Sequence, residues 1–204
     1  MVYILILNRF VLDIDLALTK TDIIRQSIRV FKEKGFAATG MADIAGACNI
    51  LKGSLYHHFS SKEVLMEETL NYLRQYFNEK VFSIAMQEEL SIEKRLEKLA
   101  RKSEEQFLEG AGGCFMAMVG TETVVSNSKF NKIIKGFFAD WKQAFVHLYG
   151  QVCNDKKASD MADKAIMLIE GAVLMMRIHN DADYLTRVQD SLLEEFKELN
   201  VKIV

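Results

Sequence analysis

Apolar residues recur at helical spacing along most of this 204-residue chain. The first clear run begins near Thr21, where Ile24, Ile28 and Phe31 fall at i, i+4 and i+7 and define one buried stripe; Gly35 then ends it. A short helix is predicted from about Met41 to Ala47, with Ile44 and Ala45 inward and Thr39 or Gly40 as its cap. Another short helix, Lys52 to Phe59, carries Leu55 and Phe59 on one face. Ser60 and Glu63 then read as a capping box opening a long helix from Lys62 to about Ala85. Amphipathic segments follow at about 91–109, 114–125, 128–150, 158–179 and 182–200. Turn chemistry at Gly110, Gly112 and Gly113, at Asn154 and Asp155, and at Asn180 and Asp181 separates several of them. The expected fold is all-α, with about nine helices.

Composition agrees, because proline is absent and half the residues are hydrophobic, so long helices run unbroken. Cys48, Cys114 and Cys153 are far apart with no C-x-x-C pair, and no histidine stands at metal-ligand spacing. No metal or cofactor is expected, and a reducing cytoplasm suits the thiols. No nucleophile elbow or glycine-rich phosphate loop appears, which argues against an enzyme. At the N-terminus, Asn8, Arg9, Asp13 and Asp15 interrupt an apolar start before it reaches the ~20 residues of a membrane span, and no signal-peptide layout is present. Residues 1–19 read as an extension of unknown role.

Charge changes the picture. The net value is −2, yet from Lys20 to Lys62 seven cations (Lys20, Arg25, Arg29, Lys32, Lys34, Lys52, Lys62) face three anions (Asp22, Glu33, Asp43), leaving +4 there and −6 elsewhere. A basic segment on an acidic remainder suits a protein that meets phosphates at one end, although a chance fluctuation of a few charges gives the same count.

The run Met41 to Phe59 lies inside that segment and has the layout of a helix-turn-helix. Asn49 stands where the turn needs a left-handed residue, and Ile50 plugs the angle between the helices. Lys52, Ser54, Tyr56 and His57 lie on surfaces the core does not need, and Gly53 allows close approach to DNA. Leu55 and Phe59 weigh toward core, and His58 is expected to pack on the first helix.

These residues resemble the TetR/AcrR regulators. Lys52 to Phe59, followed by Ser61, Lys62 and Glu63, looks like that family's recognition helix and its junction with the next helix, within a likeness covering about Thr21 to Leu65. The stretch from Gly113-Cys114 through Glu122, and from Ala165 to Arg177, resembles the ligand-binding region of the subgroup around LmrA and YxaF. The resemblance implies a three-helix DNA-binding domain over 20–65 and a larger ligand-binding and dimerisation domain over 66–204. It also implies that Tyr56 and Lys62 bind phosphates, that Lys52, Gly53, Leu55 and His57 approach the groove, and that Thr39 and Gly40 meet the DNA backbone. Two positions depart from the family: Leu51 replaces the usual Ser or Thr cap, and Asn49 replaces the usual glycine. The implied function is a cytoplasmic, ligand-responsive repressor that binds a palindromic operator in double-stranded DNA as a homodimer and is released by a small hydrophobic or aromatic effector. The alternative is a helical interaction protein with a degenerate helix-turn-helix.

For the effector, Phe107, Phe115, Met116, Met118, Phe137, Phe138, Trp141 and Phe145 cluster in sequence and suit an adaptable apolar pocket, with Glu122 and His147 as polar orienting groups. Plain core is the competing reading, and Cys114 is a candidate thiol sensor. For the dimer, Ala165, Leu168, Ala172, Met175 and His179 form one stripe, and Ala162, Ile166, Ile169, Val173 and Met176 form a second beside it. Two apolar faces need two partners. With Leu185, Val188, Leu192, Phe196 and Leu199 on the last helix, they predict a four-helix bundle between subunits, against the alternative of burial inside one monomer.

Overall fold

A computed structural model describes residues 18–110 and 112–201; residues 1–17 of the expected extension lie outside the described residues. Among the described residues there are nine α-helices and one 3-10 turn, and no strand. Helix α1 (Lys20–Lys34) opens with a reciprocal cap: the Asp22 amide donates to the Thr19 hydroxyl oxygen at 3.2 Å, and the Thr19 amide donates back to the Asp22 carboxylate at 3.1 Å. The Thr19 hydroxyl, which also donates to the Asp22 carboxylate, and the Thr19 amide together hold that carboxyl below the usual carboxylate range. The helix stops at Gly35, whose φ of 80° favours glycine and whose amide donates to the Phe31 carbonyl.

Helices α2 (Met41–Ala47) and α3 (Lys52–His58) follow. Between them Asn49 adopts φ 53°, the left-handed turn expected of it. Helix α4 (Lys62–Lys80) is capped by Ser61, whose hydroxyl accepts from the Val64 amide, and not by Ser60. Phe59 is buried in extended backbone just after α3, and the chain needs two further residues before it turns into α4. The same helix ends five residues short of expectation. Its continuation is a 3-10 turn (Phe82–Met86), in which Phe82, Ile84 and Ala85 are all buried, a spacing no single α-helical face provides.

Three of the five remaining helices start from a polar side-chain cap. Helix α5 (Ile92–Leu108) is capped by Ser91, α6 (Phe115–Thr123) follows the glycine-rich turn, and α7 (Ser128–Tyr149) is capped by Asn127. Helix α8 (Asp155–His179) begins three residues before the expected 158, because Asn154, read as part of a break, is its N-cap and accepts from the Lys157 amide. Asn180 closes it in left-handed backbone, and α9 (Asp183–Val201) completes the chain.

Ile23, Phe31, Ile44, Leu55 and Phe59 knit the first three helices together. In the larger part, α7 is the central helix, packing on α4, α6 and α8, and α9 lies along α8 and α5. The expected boundary at residue 65 falls inside α4, so one continuous helix joins the two parts.

Helix α8 requires a correction. Its inner face is Ala158, Ala162, Ala165, Ile169, Ala172, Val173 and Met176, all buried within the chain. Ala165 and Ala172, with Leu185 and Phe196 of α9, therefore belong to the monomer's own core and not to an exposed interface. Sequence spacing alone does not say which of two apolar stripes faces inward, and small residues went to the close helix contact. The outward stripe is Met167 (67% exposed), Leu168, Gly171, Leu174 (57%), Met175 and Ile178 (64%). Of the expected interface set, Leu168 and Met175 are exposed and Leu192 is half-buried.

Leu51 sits at the N-cap of α3, 80% exposed, with no side-chain cap bond. Replacing it with a hydroxyl acceptor should satisfy a free amide and stabilise by roughly 1 kcal/mol. In thermal unfolding, Leu51→Ser is expected to melt ~2–4 °C higher; an unchanged or lower midpoint would contradict the cap assignment.

Candidate functional site

Helix α3 is held by two anchors. Leu55 is 0% exposed and Phe59 is buried just past the helix end, so the expected groove contact from Leu55 is corrected: its side chain is core. The opposite surface is open, with Lys52, Gly53, Ser54, Tyr56 and His57 exposed. His58 is exposed too, its ring tilted at 44° to that of Phe59, and not packed inside against α1 as expected. The Lys52 ammonium lies over the Tyr56 ring at 5.8 Å, so the cation and the phenol share one patch. A Cβ at Gly53 would meet nothing within 4 Å. The fold itself therefore does not require glycine there, and any requirement comes from outside the chain.

At the start of α2 the Gly40 amide donates to the Asp43 carboxylate at 2.8 Å. Thr39 is 1% exposed and donates its hydroxyl to the Gly35 carbonyl at 2.6 Å. Its side chain ties the α1–α2 loop together and cannot reach a DNA backbone, which corrects that expectation. The basic segment is also less free than its count suggested. Lys20 pairs with Glu68, Lys34 pairs with Asp43, and Lys32 is buried. Lys62 donates to the carbonyls of Phe36 at 2.7 Å and Ala37 at 3.4 Å, which leaves one of its three N–H groups.

The loop that Lys62 grips is also gripped from the other side. Glu122 of α6, expected in a ligand pocket, instead accepts from the Phe36 amide at 3.2 Å and the Ala37 amide at 3.0 Å. A Cβ on Gly35 would stand 3.0 Å from that carboxylate. Nearby, Arg177 of α8 donates to the Lys32 carbonyl at the end of α1. The Lys32 ammonium donates to the carbonyls of Gln106 and Glu109 at the end of α5. Four charged side chains thus satisfy backbone groups across the junction between α1–α3 and the rest. Nothing in local sequence signals these bonds, since Glu122 lies 85 and 86 residues from its partners.

The aromatic cluster does not form one pocket. Phe137 and Trp141 are buried and pack their rings against Phe82, Phe138 and Phe145 at centroid separations of 5.4 to 6.3 Å, so the rings themselves fill the middle. Two separate cavities result. One, of about 330 Å³, runs under α1 and includes Phe107 and Phe115 in its wall; the other, of about 270 Å³, lies between α5, α7 and α9 and includes Trp141 and Phe145. Met118, Glu122, Phe138 and His147 line neither, which corrects the single-pocket expectation. In the second cavity's wall, Trp141 Nε1 and Ser103 Oγ are buried polar atoms without a protein partner. Burial pushes the Cys114 thiol well above its ordinary range, opposite to what a reactive thiol sensor needs.

Residues 23–69 match the family described as bacterial regulatory proteins, tetR family, and residues 91–191 match the LmrA/YxaF-like transcriptional regulator C-terminal domain. Over 53 residues, 26% of this chain, the sequence is 51% identical to the uncharacterized HTH-type transcriptional regulator YerO of Bacillus subtilis, a match spanning 18% of that protein. It is 47% identical over 51 residues to the HTH-type transcriptional repressor KstR2 of Rhodococcus jostii, where the match spans 25% of each chain. These alignments therefore cover a quarter or less of each relative's length. Among solved structures, a TetR transcriptional regulator from Legionella pneumophila superposes with a TM-score of 0.81 at 20% identity, over 89% of this chain and 98% of that one. A regulatory protein TetR from Rhodobacter sphaeroides gives 0.77 at 22% identity, over 87% and 98%. At such identities the likeness is one of fold.

Removing the Glu122 carboxylate should free the Phe36 and Ala37 amides. Because the group is exposed, the loss is placed at about 1 kcal/mol, below the ~1.5–3 kcal/mol of sheltered charge-assisted bonds. Glu122→Ala is expected to speed hydrogen exchange at those two amides several-fold while leaving the α7 core unchanged; unaltered exchange at both would show that the carboxylate does not hold the loop.

Proposed function

Because the chain belongs to the TetR/AcrR family of transcriptional regulators, we propose that it binds duplex DNA as a homodimer, represses transcription from a palindromic operator, and is released by a small hydrophobic or aromatic effector. The observation that carries this reading is α3, a short helix with one face pinned by Leu55 and Phe59 and the other open through Lys52, Gly53, Ser54, Tyr56 and His57. A helix of that kind enters a major groove about 12 Å wide. In this reading Lys52, Tyr56 and the remaining N–H of Lys62 meet phosphates, the Gly40 region meets the DNA backbone, and Ser54 and His57 meet base edges.

A two-fold axis places two such helices one DNA turn, ~34–36 Å, or a multiple of it apart. The outward face of α8, from Met167 to Ile178, supplies the dimer contact, since an apolar stripe of this length is costly to leave in water. The effector enters the cavity beside Trp141, where an apolar wall and two unpartnered polar atoms suit a small, mostly apolar molecule bearing a hydrogen-bonding group. Among the described residues no helix is long and apolar enough to cross a membrane, and the proposed place of action is the cytoplasm, with the DNA. The rival reading, an interaction protein with a degenerate helix-turn-helix, draws on Leu51 and on the lysines already engaged within the chain.

Gel retardation with the DNA flanking the chain's own gene and its neighbours tests the proposal. Lys52→Ala is expected to weaken binding to every duplex and to flatten the salt slope by about 0.9. His57→Ala is expected to change the ranking of operator variants instead. Gly53→Ala should keep or raise the melting temperature, since alanine favours the helix, yet lower DNA affinity. Absence of retardation with any duplex tested would favour the interaction protein.

Sedimentation equilibrium tests the dimer. Leu174→Glu places a charge in the middle of the outward stripe of α8, and the variant is expected to be monomeric at concentrations where the parent is dimeric. A variant that stays dimeric would move the interface elsewhere.

A further inference from the structure

The cavity under α1 has a chemistry distinct from the Trp141 cavity. Arg25, Arg29 and Lys32 stand at i, i+4 and i+7, so three cations share one face of α1, and all three line this cavity. Like charges at that spacing repel, and among the described residues no ion pair forms at either arginine. The acid among the lining residues is Glu109, which is exposed and acts on Arg25 and Lys32 through space. Hydrogen-bond donors are in surplus as well. Arg25 Nε donates to the Tyr72 hydroxyl at 2.9 Å and Gln106 Nε2 donates to the Tyr76 hydroxyl at 3.4 Å. Each phenol oxygen is thus an acceptor here, and its own proton is left to give. Beside this cationic rim the wall is apolar: Phe77, Phe107, Phe115 and Phe137 are all buried and all line the cavity.

We propose that this cavity binds an amphipathic monocarboxylate, with the carboxylate held by Arg25 and Arg29 and by the Tyr72 and Tyr76 hydroxyls, and the apolar body laid on the four phenylalanines. Guanidinium forks match a carboxylate in two-pronged geometry, and the ligand's charge offsets the repulsion along α1. At about 330 Å³ the space stands at the small end of the range for ligand pockets and suits a body of roughly ten carbons. A bare inorganic anion leaves the aromatic wall unfilled. Binding itself does not depend on the DNA reading; an effect on DNA affinity does rest on it, and follows because the ligand touches α1 of the DNA-binding part.

The test uses the full chain without DNA, so its outcome is separate from that of gel retardation. Titration calorimetry and thermal shift compare decanoate with decan-1-ol, acetate and inorganic phosphate. Decanoate is expected to bind saturably and raise the melting temperature, decan-1-ol to bind at least tenfold more weakly, and acetate and phosphate to give no shift at the same concentration. The R25Q/R29Q variant is expected to lose at least tenfold in decanoate affinity and to bind acid and alcohol alike. Tyr72→Phe, which keeps the ring and removes a donor, should weaken decanoate several-fold and serves as the second variant if the double one does not fold. Equal affinity of the parent chain for decanoate and decan-1-ol, or unchanged decanoate affinity in the variants, would overturn the proposal.

Discussion

The arrangement of this protein depends on how the ends of its helices are satisfied where α1 meets the rest of the chain. A helix leaves its last carbonyls without partners, and burying them unpaired is costly. Here Arg177 answers the Lys32 carbonyl, the Lys32 ammonium answers the end of α5, and the loop after α1 is held by Glu122 on its amides and by Lys62 on its carbonyls. Charged groups used this way bond to backbone dipoles and not to one another, so the contact is directional and fixes the angle of α1. That angle in turn positions α2, which packs on α1, and through it α3, which packs on α2, with Ile44 and Leu55 buried.

Helix α3 shows what that scaffold must do. Seven residues cannot sustain a helix in water, since the nucleation cost exceeds what so few bonds return. Its N-terminus has no side-chain cap, and Gly53 lowers its propensity further. Two buried side chains, Leu55 and Phe59, hold it in place, and the remaining residues are released from any packing role. Local weakness with an open face is the compromise expected of an element selected for contact with something else.

Much of this was legible in the sequence. Thr21 to Gly35, Met41 to Ala47 and Lys52 to Phe59 were placed to within a residue or so, because Gly35, Asn49 and the apolar spacing act locally. Ser60 and Asn154 were misread for a related reason: several polar residues near a helix start can all cap it, and the choice is made by a neighbour's burial. The larger misses are non-local. Lysines at positions 20, 32, 34 and 62 count as positive charge in a sequence, yet each finds an acceptor within the chain. Both faces of α8 are apolar with one periodicity, so sequence spacing groups the buried Ala165 and Ala172 with the exposed Leu168 and Met175 in a single expected interface. Glu122 looked like a pocket residue because nothing nearby in sequence explains a carboxylate there.

Any ligand control must act through the same junction. A bound molecule shifts a conformational equilibrium only by as much as its affinity differs between the two states. The Trp141 cavity is walled by α5, α7 and α9 with Ile169 of α8, so an occupant there reaches α1 by displacing the end of α5 or α8, which carries Arg177. The cavity under α1 is different: Lys32 both lines it and holds the end of α5, so one side chain belongs to the cavity wall and to the junction at once. An occupant that drew the Lys32 ammonium away from Gln106 and Glu109 would trade those bonds for its own, and the two states would then differ in affinity at that very residue. Differential binding needs such a shared group. Of the Trp141 cavity and the one beneath α1, the latter has it within the wall itself.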